Sequence, residues 1–274
     1  MYKKYFTLIS SSRPWWKVDL KELLDYRDLF LVLTYKDIRV RYAQTFLGLA
    51  WVVVQPVVTL VIFTLIFGKA IRVETGGVPY PIFALAGMSA WNYFAFVMAQ
   101  SGGSIIGAQD MVKKIYFPRL VLPLSKALVG LVDFVVALVL LTVLMVYYRQ
   151  PLGDNVGYVF IFILLNLFCS LAVGIWLSAL TIRFRDFQHV VPFMVQIGLY
   201  ATPIAYPSSM IPDKWQLIYH LNPMAGIVEG MRWSLIGGGE LSHYSYISFG
   251  ITVLLFITGV LYFHRTERII ADIV

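Results

Sequence analysis

Apolar residues gather in six long stretches, Leu47 to Phe67, Tyr80 to Met98, Leu122 to Tyr147, Val159 to Leu180, Val190 to Tyr206 and Tyr246 to Phe263, separated by polar connections. A helix crosses the ~30 Å hydrocarbon core with about 20 residues, so the pattern predicts an all-α integral membrane protein with six transmembrane helices. The fifth stretch is the shortest and the most interrupted.

Two further elements are legible outside the spans. Before the first, Asp19 and Glu22 have capping-box spacing, and Leu20, Leu23, Leu24 and Phe30 recur near helical period among Lys21, Asp25, Arg27 and Asp28. This predicts an N-terminal amphipathic interface helix, with Trp15 and Trp16 as interfacial anchors. Between spans five and six, Pro203 and Pro207 break the helical pattern, Pro212 and Asp213 open a short helix, and Asn222-Pro223 starts another. Ile227, Met231 and Leu235 follow every four residues, and the glycines from Gly237 to Gly239 end the run. Two short extracytoplasmic re-entrant helices forming a lid fit this pattern. A plain helical hairpin at the membrane surface fits it equally.

Composition agrees with a bilayer environment: 59% of residues are hydrophobic, 14% are charged and the mean hydropathy is +0.75. A chain of 31.2 kDa devoted to spans leaves no room for a soluble domain. We therefore expect one membrane domain over 1–274, with a cytoplasmic segment at 1–45, spans over 46–264 and a cytoplasmic tail at 265–274. The net charge of +7 comes mostly from Lys and Arg in alternate connections, including Lys113, Lys114, Arg119, Lys126, Arg183, Arg185, Arg265 and Arg268. That is the positive-inside pattern and places both termini in the cytoplasm, with membrane lipid and not nucleic acid as the surface partner.

Several chemistries are missing. No phosphate-loop motif G-x-x-x-x-G-K-[ST] occurs, so the chain is expected to bind no nucleotide. His189, His220, His243 and His264 are dispersed, no H-E-x-x-H or G-x-S-x-G occurs, and Cys169 is the sole cysteine, so neither a metal site nor an enzyme is expected. Asp133 is the one carboxylate well inside a span; without an evident intramembrane cation partner it makes a poor proton relay, and it reads instead as hydrogen-bonded to a neighbouring helix or protonated by burial. Asn166 and Gln196 read as helix-helix glue. On the cytoplasmic side, the segment holding Gln109, Asp110, Met111, Lys113, Lys114, Ile115, Phe117 and Arg119 mixes apolar, basic and helix-breaking residues. Its Met, Ile and Phe side chains suit a groove on a soluble partner, and its cations add charge.

The string from Lys36 to Tyr42, continuing to Leu47-Gly48, Trp51 and Gln55-Pro56, resembles the entry to the first span of ABC-2-type exporter permeases of the O-antigen, capsule and teichoic-acid branch. Val112 to Pro123, Phe184 to Phe187, Thr202 to Pro207, and Asn222-Pro223 with Glu229 and Arg232 extend the similarity in order along the chain. The resemblance implies a homodimer bound to two copies of a separate ABC ATPase, which would carry ATP and Mg while this chain binds no cofactor. It implies a permease of the cell inner membrane that exports lipid-linked polysaccharide; the alternative is an ABC-2 permease for a small lipid or drug. The 109 to 119 segment would be the coupling helix. Tyr42, Phe46, Phe193, Tyr200 and Tyr206 would line the channel, where aromatic faces suit sugar C–H surfaces. Pro203, Pro207, Asn222, Pro223, Glu229 and Arg232 would form the gate. A membrane enzyme on lipid-linked sugars would instead need Asp110 and Asp186, and a scaffold would need no transport at all.

Overall fold

The computed structural model describes residues 20–43, 48, 50–237 and 241–267. Asp19, Trp15, Trp16, Phe46, Gly238, Gly239 and Arg268 lie outside the described residues. Among those described the structure is helical throughout, without strands. It begins with α1 (Leu20–Asp25) and α2 (Arg27–Ala43), so the predicted interface helix is broken at Tyr26.

Then come α3 (Ala50–Phe63), continued by a π-helical stretch Thr64–Ala70, α4 (Tyr80–Gly102), the short α5 (Ser104–Gly107) and α6 (Gln109–Lys114), and α7 (Val121–Tyr148). The rest is α8 (Val159–Arg183), α9 (Phe187–Ala201), α10 (Asp213–Tyr219), α11 (Pro223–Ile236) and α12 (Ser245–Glu267).

Among the described residues, five helices are long and apolar enough to cross a membrane: Ala50–Ala70, Tyr80–Gly102, Val121–Tyr148, Val156–Arg183 and Ser245–Glu267. They match expected spans one to four and six. The expected fifth stretch, 190 to 206, instead yields α9 of 15 residues, about 22 Å long. Its end has a local cause. Thr202 precedes Pro203, whose ring disfavours the α region for its neighbour, and Thr202 is extended at φ −107° and ψ 144°.

α4 is the centre of the bundle and is buried along most of its length, packed on α7, α8 and α11. Its small residues Ala84, Ala86, Gly87, Ala90 and Gly102 permit that close approach. At Gly87 a Cβ would fall 2.5 Å from Arg232 Nη2, so a side chain there would expel the arginine. α8 packs on α12, and Asn166 donates to the Ala90 carbonyl at 3.2 Å, a tie between α8 and α4 of the type expected for it. By contrast α3 touches its neighbours through Val52, Leu60 and Phe63 and leaves Val54, Val58, Val61, Ile62 and Leu65 exposed. Cys169 is buried and unpaired among the described residues.

Candidate functional site

A cleft of about 650 Å³ opens between α2, α3, α4, α7 and α9. Trp51, Trp91, Tyr93 and Phe96 line it, and Gln55, Asn92 and Gln196 contribute amides. Trp51 is exposed, whereas Trp91 and Tyr93 are buried in the wall behind it. One open indole face among exposed amides suits a polyhydroxylated chain, since a ring can take a C–H face and amides exchange hydrogen bonds with hydroxyls. At one end of the cleft Arg41 pairs with Asp133, and the Tyr42 hydroxyl donates to the same carboxylate. Asp133 therefore has a cation partner, which arrives from α2, outside the spans. Burial pushes the Tyr42 hydroxyl well above its ordinary range, with the Asp133 carboxylate adding to the rise, so it remains a donor. The Arg41 guanidinium also lies over the Phe96 ring, 4.2 Å from its centroid.

Of the expected channel residues, Tyr42 borders this cleft and Phe46 is outside the described residues. Phe193 and Tyr200 are exposed on another face of α9; the face toward the cleft carries Pro192, Val195, Gln196 and Leu199. Tyr206 donates to the Tyr200 carbonyl at 2.9 Å and accepts from Tyr219 at 3.2 Å, which ties the end of α9 to α10.

A second cluster joins α11 to the segment after α9. Arg232 is buried and its guanidinium donates to the carbonyls of Phe83, at 3.0 Å, and of Pro203 and Ile204. It also stacks 3.6 Å from the Phe83 ring centroid. Burial pushes Arg232 down to about 9, with Glu229 opposing the change, so it stays cationic near neutrality. Asn222 caps α11 by accepting from Met224 N at 3.0 Å, as the Asn-Pro pair predicts, while its Nδ2 donates to Thr202 Oγ1 at 2.9 Å. Pro223 occupies the first turn of α11. Pro207 and Glu229 border a pocket of about 230 Å³ that Arg232 and Trp233 also line. The expected gate residues are thus brought together.

The segment between α4 and α7 divides in two. Asp110 sits in the first turn of α6 and Lys113 and Lys114 in the last, each favourable to the helix dipole, and α6 has no buried residue. Ile115 and Tyr116 are exposed. Phe117 is only 3% exposed and belongs to the chain's own core, so it does not offer itself to a partner. Arg119 is likewise occupied: its backbone N–H donates to Glu267 Oε1 at 3.1 Å and its guanidinium to the Glu267 carbonyl. Tyr116 donates to Glu22 at 3.0 Å, and Tyr26 donates to the Tyr116 carbonyl at 3.3 Å. The exposed residues of this segment are therefore Gln109, Asp110, Lys113, Lys114, Ile115 and Tyr116, while Met111 is half-buried against the chain's own core. Among the described residues no group of three or more His, Cys, Asp or Glu side chains is placed to hold a metal ion.

The model of the ABC-2 type transporter family matches residues 28–236, most of the chain. The chain belongs to that family. Among ABC-2 relatives, the O-antigen export system permease protein RfbA of Klebsiella pneumoniae is 32% identical over 249 residues, covering 90% of this chain and 95% of that protein. RfbA of Myxococcus xanthus is 31% identical over 211 residues, or 76% and 80% of the two chains. The polysialic acid transport protein KpsM of Escherichia coli is 24% identical over 88% of this chain and 94% of its own.

In this ABC-2 chain the cleft residues Trp91, Tyr93 and Phe96 escape sequence reasoning, because an aromatic residue in a span has the same local signature whether it faces lipid, protein or a cavity. Arg41 escapes it for another reason: its partner Asp133 lies on a different helix.

Proposed function

We propose that this chain is the membrane-spanning permease of an ATP-driven exporter that carries lipid-linked polysaccharide, of the O-antigen kind, across the cell inner membrane. The carrying observation is the 32% identity with an O-antigen export permease over nearly the full length of both chains. The cleft is consistent with it: the exposed Trp51 ring and the Gln55, Asn92 and Gln196 amides offer several weak contacts, which suits a sliding polymer better than a single tight site.

In this reading the chain forms one membrane domain with both termini cytoplasmic. α9 with the segment to Tyr206 completes a sixth crossing, and α10 and α11 are re-entrant helices that form the outer gate. Two copies pair through the apolar faces that α3 and α9 leave exposed, and the dimer binds two copies of a separate ABC ATPase. That ATPase holds ATP and Mg; this chain holds neither. α6 is the coupling helix, docked through the exposed Ile115 that follows it, with Lys113 and Lys114 supplying charge.

The test deletes this chain and locates the finished lipid-linked glycan. Accumulation on the cytoplasmic face supports the proposal, and normal surface display overturns it. Normal display together with loss of export of a small lipid or drug would establish the alternative ABC-2 reading.

A further inference from the structure

His220 follows α10, and its side chain is fully buried. Its Nδ1 stands 2.9 Å from the Gln216 carbonyl oxygen and its Nε2 3.2 Å from Glu229 Oε2. Both oxygens face the ring as acceptors. Beside an ionised Glu229, a neutral imidazole with its single N–H would in either tautomer direct a lone pair at an oxygen lone pair. Only the doubly protonated ring donates to both. Glu229 Oε2 also accepts from Ser245 Oγ at 2.8 Å, and the His220 carbonyl accepts from Ser248 Oγ at 2.8 Å. One carboxylate oxygen therefore ties the end of α10, the middle of α11 and the start of α12 together.

We propose that His220 is held as an imidazolium and acts as a positioning residue, clasping α10 to α11 and α12 through Glu229. The inference deepens the export reading, since those helices are the proposed outer gate. The groups around the ring are consistent with a charged state that depends on one partner. α11 contributes Glu229 and, further along the helix, the cation Arg232; α10 contributes Tyr219, whose hydroxyl is engaged with Tyr206. From the segment before α12 comes Tyr244, with its ring centroid 5.8 Å away and His243 stacked behind it. Glu229 is the one negative charge in that set.

Burial works against the charged ring. The hydrogen bond to Glu229, the bond to the Gln216 carbonyl and the Glu229 charge outweigh it and raise His220 above the ordinary histidine value. Burial likewise opposes the Glu229 carboxylate, but His220 and the serine hydroxyls outweigh it and hold Glu229 below its ordinary value, so it stays ionised throughout. A raised histidine stabilises the fold fully below its unfolded value of about 6.5 and loses that contribution as pH rises through the folded value. The clasp is therefore closed at mildly acidic pH and released on the alkaline side.

The experiment uses the full chain in lipid nanodiscs, without ATPase or glycan, so its outcome is independent of whether the export reading stands. Melting temperatures of the unmodified protein, His220→Gln and Glu229→Gln are compared from about pH 6 to about pH 9. The unmodified protein should exceed both variants by several degrees at the acidic end, and the gap should close as pH rises. In spectra of 15N-histidine-labelled protein at neutral pH, one imidazolium signal with both nitrogens protonated should be absent from His220→Gln and lost or shifted to lower pH in Glu229→Gln. A gap that does not change with pH, or the absence of that imidazolium signal, overturns the proposal. Should His220→Gln fail to fold, the Glu229→Gln profile and the spectrum of the unmodified protein decide.

Discussion

Asp133 on α7 and Arg41 on α2 form an ion pair at the end of the aromatic cleft, and four residues earlier on α2 Asp37 pairs with Lys126 of α7. The polarity reverses between the two pairs: acid on α7 in one, base on α7 in the other. A helix that slipped by one turn along α7 would bring like charges together, so the pairs define register more than they add strength. Each is partly exposed and worth on the order of 1 kcal/mol. Asp37→Lys alone should lower the melting temperature of the purified permease, and adding Lys126→Asp should restore most of the loss.

Arg232 is a different case because it is buried and serves the carbonyls of Phe83, Pro203 and Ile204 at once. A lysine carries its charge on one atom and cannot reproduce the planar fork. Arg232→Lys should destabilise the chain by about 3 kcal/mol, seen as a large fall in melting temperature, because buried carbonyls lose their donors.

α11 reaches α8 where Gly230 meets Phe162, and a Cβ on Gly230 would collide with that ring. Gly230→Ala should cost about 1–3 kcal/mol through overpacking. Combining it with Phe162→Leu should recover part of the loss, and a double-mutant cycle on melting temperatures measures the coupling.

On the cytoplasmic side, exposed and buried residues of one short segment should behave oppositely. Lys113→Glu with Lys114→Glu should leave stability within about 0.5 kcal/mol while abolishing co-purification with the ATPase. Phe117→Ala should cost about 3–5 kcal/mol, because that ring fills the chain's own core.

These contrasts show where a sequence is informative. The Asn222-Pro223 start of α11 and five of the spans are local signals, carried by a capping side chain or by a long apolar run, and the structure contains them. The fifth stretch is legible only in part, since apolar residues continue past Thr202 although the helix ends before Pro203. Asp133 appears unpartnered in sequence because Arg41 lies 92 residues away. Phe117 reads as a docking residue beside its exposed neighbours, yet the chain turns there into extended backbone after Lys114 and directs that ring inward. The His220 clasp is invisible until α10 and α11 are laid side by side.

In the proposed exporter this chain conducts and a separate ATPase drives. The direct measurement co-reconstitutes the purified chain and its ATPase subunit in vesicles with lipid-linked glycan on the ATPase side, then follows glycan exposure on the other face. Exposure is expected only when both proteins and ATP are present, with no ATP hydrolysis by the chain alone. Glycan exposure without the ATPase, or ATP hydrolysis by the isolated chain, would contradict it.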